Sequence, residues 1–353
     1  MQNFMNFTRT KMKEPKIIVF DRRLGVGDII SSIPAFYVAK ELYPKSKFIL
    51  ITNKIGASLC RNFSFIDKIV IENVDFQTKD FAKIVDENKA DVLILGHRTS
   101  KNIKLAKQSK CPFIITWRHL HSLFSPRFKH PKHIKRLQRL EILRCLDLVR
   151  MIEPKKYDEK YKNIELKNLP IRIQRDEKNK IFVDEFFKGI SKSYTKIIGI
   201  SPFGLSSSNY NLDIDDWILL VKNLAHEFQN ILFVFMNFKG SGYEFDDFSE
   251  ENIRVFTNDD DLLNLAELTS RMSLCISLST GNIHIADNLG IDTLGFFSRT
   301  DEKLFSCGHY GGGHLKCCIY RKIGKVIMNF TKKLSLIKPE KLSKKLPCLL
   351  SKI

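Results

Sequence analysis

The sequence predicts an α/β protein of two Rossmann-like domains, each a parallel sheet flanked by helices, facing each other across a cleft. Three observations predict it. Short apolar runs of strand length alternate with helical patterns, as in repeated βα units. The alternation occurs twice, on either side of a charged, weakly periodic segment, Glu153–Lys196, that carries Pro154 and Pro170. In each series one strand also runs straight into a glycine-containing turn and a helix start. Open α/β sheets bind ligands at such turns, beyond the carboxyl ends of their strands.

After a polar extension at Met1–Pro15, the first series has strands at Ile17–Phe20, Phe48–Ile51, Lys68–Ile71, Val92–Leu95 and Phe113–Thr116. Their unbroken apolar character suits a sheet buried on both faces. Helical patterns fall at Ile29–Leu42, Ala57–Asn62, Phe81–Glu87 and Ile103–Gln108, and a longer one at His133–Arg150 turns Ile134, Leu137, Leu140 and Leu143 inward. The second series has strands at Ile197–Ser201, Ile231–Met236, Ile253–Phe256, Leu274–Leu278 and Thr293–Phe297, with helices at Asp216–Phe228, Leu262–Met272 and Ile283–Leu289. The expected division is 1–165 for the first domain, 166–195 for the connection and 196–335 for the second domain. A tail, 336–353, would pack back on the first.

At 353 residues and 43% hydrophobic content the chain can build two cores. No apolar run approaches the roughly 18–20 residues of a spanning helix and no signal-peptide core precedes the first strand, so the sequence reads as cytoplasmic. Eight scattered cysteines lack CxxC pairs and read as reduced thiols. The net charge of +19 is uneven. Residues 97–150 hold 14 Lys/Arg against only Glu141 and Asp147, with five of the nine histidines (His97, His119, His121, His130, His133). A basic face of that kind suits phosphates on a lipid, a nucleic acid or a sugar. Lys101, Lys104 and Lys107, spaced by three, fit a solvent-facing helix stripe equally well.

Two turns carry the candidate chemistry. Leu274–Leu278 leads into Ser279-Thr280-Gly281 and a helical pattern with His284 in its first turn. Unpaired N–H groups and the positive end of the helix dipole converge there, as a phosphate requires, although an ordinary capped βα junction would look similar. Strand Ile17–Phe20 leads into Asp21-Arg-Arg-Leu-Gly25-Val-Gly27-Asp28, with Asp28 at the helix start. A dinucleotide fingerprint would need a glycine where Ile30 stands and an acid where the second strand ends in Thr52-Asn53. No Walker A pattern occurs.

These segments resemble glycosyltransferase family 9, the ADP-heptose:lipopolysaccharide heptosyltransferases. Gly27-Asp28 with Pro34 six positions on is similar to the family's opening motif, and Ser279-Thr-Gly-x-x-His284-x-Ala286 followed by Leu289-Gly290 resembles its donor loop. Ser201-Pro-Phe-Gly204 resembles its P-G-A loop, and His133-Ile-Lys-Arg136 an H-x-x-R pair. The four occur in order from about Lys16 to Lys325. The resemblance implies a GT-B fold and an inverting transfer of a heptose, or a related sugar, from a nucleotide-sugar such as ADP-heptose onto the lipopolysaccharide inner core. Asp28 would be the general base that takes the proton of the attacking hydroxyl. Ser201, Gly204, Ser279, Thr280, Gly281 and His284 would bind the donor, the helix N-terminus at Thr280–Gly281 stabilising the departing diphosphate without a metal or other cofactor. Gly27, Arg118, His133, Arg136 and Arg139 would bind the anionic acceptor, and the basic face would draw the protein to the inner-membrane surface. The residues themselves leave Asp28 open to a helix-capping role and His284 to a packing one.

The sequence departs from the family at Ser279, where an aspartate is usual, and after the P-G-A loop, where Tyr210 and Asn211 stand near the place of a usual lysine. A non-catalytic relative that binds an anionic glycolipid is therefore the alternative. A nucleic-acid binder would lack a recognition motif. Asp213-Ile-Asp215 and Asp259-Asp-Asp261 precede helical patterns and read as helix-start acids, while Cys317-Cys318 with His309 and His314 lacks zinc spacing.

Overall fold

The computed structural model describes residues 14–72, 80–132, 138–190, 192–203, 214–245 and 248–319. The first half runs β1 (Ile17–Asp21), α1 (Val26–Leu42), β2 (Lys47–Thr52), α2 (Lys54–Cys60), β3 (Lys68–Ile71), α3 (Asp80–Glu87), β4 (Val92–Leu95), α4 (Ser100–Gln108), β5 (Phe113–Ile115) and β6 (Phe128–Lys129). Helices α5 (Glu141–Arg150), α6 (Pro154–Tyr161) and α7 (Glu177–Lys188) follow. The second half runs β7 (Lys196–Ser201), α8 (Ile214–Glu227), β8 (Ile231–Phe238), β9 (Ile253–Asn258), α9 (Leu262–Ser270), β10 (Leu274–Leu278), α10 (Gly281–Leu289), β11 (Asp292–Ser298), α11 (Arg299–Phe305) and β12 (His314–Ile319).

Both sheets are parallel, and their orders, β3-β2-β1-β4-β5-β6 and β12-β11-β10-β7-β8-β9, are the same doubly wound arrangement. The expected two Rossmann-like domains are present. The order reverses between β1 and β4 in one sheet and between β7 and β10 in the other, so the turns singled out in the sequence leave the sheets where a crevice forms. β4 and β10 are buried along their whole length, which explains their unbroken apolar sequences.

Helix α1 is apolar nearly all round because it is buried between α5 and α10. It also contains Pro34, which has no N–H for the carbonyl of Ile30. The hydroxyl of Tyr310, from the second half, reaches that carbonyl at 3.4 Å. The second domain also meets the connection where Asn288 donates to the Ile171 carbonyl at 2.9 Å and accepts from the Ile173 N–H at 2.8 Å. A third junction lies on α2, where Arg61 reaches both carboxylate oxygens of Asp261 at 2.7 and 2.9 Å and Asp176 at 3.1 Å.

Several expectations are corrected. The helix expected over His133–Arg150 begins at Glu141, because Leu140 is extended (φ −55°, ψ 144°); residues 133–137 lie outside the described residues. The charged connection holds two helices, α6 with Pro154 in its first turn and α7, anchored by the buried Tyr157, Tyr161 and Val183. The edge strands β6 and β12 were missed, β6 being only two residues long. Asp215 and Asp216 lie in the first turn of α8 and Asp261 caps α9 through the Leu263 N–H, as helix-start acids do. Asp213 and the expected tail, 336–353, lie outside the described residues. Cys60, Cys111, Cys145, Cys275 and Cys307 are buried free thiols.

Candidate active site

The loop after β1 is held by the end of β2. Arg22 N–H donates to the Ile51 carbonyl at 2.9 Å, the Thr52 hydroxyl to the Arg22 carbonyl at 2.7 Å, and the Asn53 amide to the Leu24 carbonyl at 3.0 Å. Thr52-Asn53, unsuited to a ribose, thus braces the turn. Gly25 is the N-cap of α1 and offers no side-chain cap, and Asp28 follows in the first turn of the helix.

Asp28 is joined to a buried charge network. The Arg22 guanidinium lies 3.1 Å from Asp28 Oδ1 and 2.9 Å from Glu141 Oε1, and also donates to the Gly96 carbonyl at the end of β4. Glu141 in turn takes Arg144 at 3.1 Å, whose guanidinium lies 4.1 Å from the centre of the Trp117 ring. The Arg22 side chain is 1% exposed and that of Asp28 27%, so the carboxylate is the part of the network open to a substrate. Burial works against the charge of Arg22, but Cys145, Asp28 and Glu141 outweigh it and raise its pKa. His97, next along the chain from Gly96, is pushed below the usual histidine range by burial and then by Arg22.

The opposing side is built on β10. Thr280 is the N-cap of α10 but makes no capping bond; its hydroxyl lies 3.2 Å from that of Ser277. Asn282, in the first turn, donates to Ser201 Oγ at 2.6 Å and so ties α10 to the end of β7, across the second reversal point. Two helix N-termini without side-chain caps therefore stand at the two crevices, and they meet. A Cβ on Gly27 would lie 2.6 Å from the His284 ring, and a Cβ on Gly281 would lie 2.6 Å from Val26 Cβ.

Gly27 touches His284 rather than open space, and Gly281 lets α10 approach α1. The left-handed glycines lie elsewhere, at Gly240, Gly242, Gly290, Gly308 and Gly311. His284 is buried, 3.9 Å from Cys307 Sγ through Nδ1 and 5.9 Å from the Phe305 ring. Burial, then His309 and His314, lower its pKa to about 4. Ser201 is fully buried and Ser279 is 9% exposed, with its N–H bonded to the Phe296 carbonyl, so neither side chain lies open to a ligand. Arg139 is engaged by both oxygens of Asp147, at 2.5 and 2.7 Å, instead of projecting freely. Arg118 is exposed and lines a cavity of about 440 Å³ with Lys129, His130 and Lys132. Gly204, His133 and Arg136 lie outside the described residues.

The sequence reading missed Arg22, Glu141, Arg144 and Asn282 as parts of the site. One signal existed: Glu141 is one of two acids in a strongly basic stretch.

A structure of a glycosyl transferase family 9 protein from Veillonella parvula matches with a TM-score of 0.71 at 15% identity, over 96% of this chain and 98% of that one. The chain has the fold of the family 9 glycosyltransferases. The GT-B arrangement extends to the E. coli ADP-heptose lps heptosyltransferase II, at TM-score 0.69 and 14% identity over 96% of this chain and 99% of that one. The E. coli heptosyltransferase WaaC with ADP matches at 0.59 and 14% identity, over 90% and 99%. In sequence, the chain is 26% identical over 299 residues to a Haemophilus influenzae protein named "Putative glycosyltransferase", covering 81% of this chain and 83% of that one. No protein-family model matches the chain.

Proposed function

We propose that the chain is a family 9 glycosyltransferase that moves a heptose, or a related sugar, from a nucleotide-sugar such as ADP-heptose onto an anionic lipopolysaccharide-core acceptor, with inversion. The observation that carries this reading is the pairing of two helix N-termini without side-chain caps at two facing crevices, one of which presents the partly exposed Asp28. The N-terminus of α10 suits the negative charge that grows on the departing diphosphate, since backbone dipoles are fixed before the reaction. Asp28 suits proton removal from the attacking hydroxyl, with Arg22 fixing its position. Residues 1–165 would then hold the acceptor, with Arg118 and the cavity beside it on the acceptor side, and 196–335 the donor.

The excess of basic residues over 97–150 supports work at the cytoplasmic face of an anionic membrane. Among the described residues no helix is long and apolar enough to cross a membrane, so attachment would be peripheral. A non-catalytic relative binding an anionic glycolipid is the second reading, favoured by Ser279 in place of the family's aspartate. A thermal-shift panel of nucleotide-sugars separates the two. A donor present at 100 times its Kd stabilises the native state by about 2.7 kcal/mol, and its turnover would exclude the second reading. Silence across the panel would contradict the first.

A further inference from the structure

The geometry points to the loop between β5 and β6, together with the outer face of α4, as a docking element for an anionic lipid bilayer, with Leu120, Leu123 and Phe124 entering the acyl boundary. The inference rests on the sugar-transfer reading only for its purpose, presenting a membrane-anchored acceptor, and not for the binding itself.

Three large apolar side chains project within five residues. Phe124 is 85% exposed, Leu120 67% and Leu123 48%. Their exposure is built into the fold. The His119 ring accepts from the His121 N–H at 3.2 Å and pairs through its other nitrogen with Ser100 Oγ at 3.2 Å, fixing the helical turn Leu120–Ser122 against the start of α4. Arg98 donates to the Arg118 carbonyl. Farther along, Arg127 donates to the carbonyls of Lys107, Ser109 and Cys111 at 2.7, 2.7 and 3.0 Å, pinning the loop to the other end of α4.

The surroundings choose the partner. From His97 to Lys132 the chain has nine Lys/Arg and no Asp or Glu. Lys101, Lys104 and Lys107 are exposed along α4, and Arg118, Lys129 and Lys132 are exposed around the loop. Protein interfaces are depleted of lysine and mix their charges, whereas apolar side chains ringed by lysines match an anionic headgroup layer over an apolar interior. The same segment begins at His97, next along the chain from Gly96, whose carbonyl accepts from Arg22, so it starts at the network that holds Asp28.

Co-sedimentation of the full chain with vesicles tests the proposal, using phosphatidylcholine alone and phosphatidylcholine mixed with phosphatidylglycerol. The wild type should bind the mixed vesicles and not the neutral ones, and raised salt should weaken binding. The double variant L123S/F124S should bind about tenfold more weakly or less, since two apolar groups leave the interface. The variant K101E/K104E should lose the preference for phosphatidylglycerol. All these positions are exposed, and unchanged melting confirms folding. Equal binding to both vesicle types, or L123S/F124S binding like the wild type, would overturn the proposal. So would light scattering that shows a wild-type dimer, a monomeric L123S/F124S variant and no vesicle binding, which would make the loop a contact between copies. ADP affinity by calorimetry should be the same in every variant. Vesicle binding without ADP binding would leave the docking element standing and count against the sugar-transfer reading.

Discussion

Gly27 on α1 and His284 on α10 meet across the two domains, so closely that a Cβ on the glycine would lie 2.6 Å from the imidazole. Gly281 stands in the same relation to Val26. Two glycines thus let two helix N-termini approach each other, and the motifs that contain them describe an interface as much as a ligand loop.

G281A should therefore destabilise the protein by roughly 1–3 kcal/mol through overpacking against Val26, and G281V by more. Chemical denaturation reads this. G189A is the control, because a Cβ there meets nothing within 4 Å and should change stability by under about 0.5 kcal/mol. If G281A is as stable as the wild type, the helix contact is not close.

Burial of neutral His284 sets a pH dependence. Its pKa falls from 6.5 to about 4, so the unfolded chain takes up a proton at higher pH than the folded one. Stability should decline as pH drops from about 6.5 toward 4, by on the order of 3 kcal/mol from this group. H284Q should flatten that decline. An unchanged pH profile in H284Q would assign the acid sensitivity elsewhere.

E141Q should keep the fold but loosen Arg22, and with it Asp28. Turnover should fall about 10- to 100-fold, since small displacements of a reacting group are costly, while donor affinity holds. Steady-state kinetics alongside calorimetry gives the split. A drop in donor affinity with unchanged kcat would place Glu141 outside the positioning of Asp28.

The junction of Arg61 with Asp261 and Asp176 should contribute modestly, because the Arg61 side chain is 27% exposed and partly screened by solvent. D261N keeps a capping oxygen for α9 and removes the charge, so a loss of about 1 kcal/mol in denaturation experiments is expected. D261A should cost more, as the cap goes too.

The strands other than the edge strands β6 and β12, the two reversal-point turns and the helix start at Asp28 were legible because each is local. Leu274–Leu278 is an apolar run, and Gly25 to Asp28 spells a helix start within a few residues. What was hidden depends on distant partners. Arg22 meets Glu141 119 positions away, and Ser201 accepts from Asn282, 81 positions away. Arg139 looked available for a phosphate only because nothing in sequence shows Asp147 turning back to it from α5. Phe124 is one apolar residue in a basic stretch of sequence, and its exposure depends on the contacts that pin the loop around it.

The most direct test of the central claim is single-turnover transfer by D28N with whichever nucleotide-sugar the thermal-shift panel selects. The carboxamide preserves shape and can still approach Arg22, so folding and donor affinity should survive. Transfer should fall by about 10²–10⁴, the usual contribution of a general base. A folded D28N that transfers sugar at the wild-type rate would contradict the claim that the Asp28 carboxylate takes the proton.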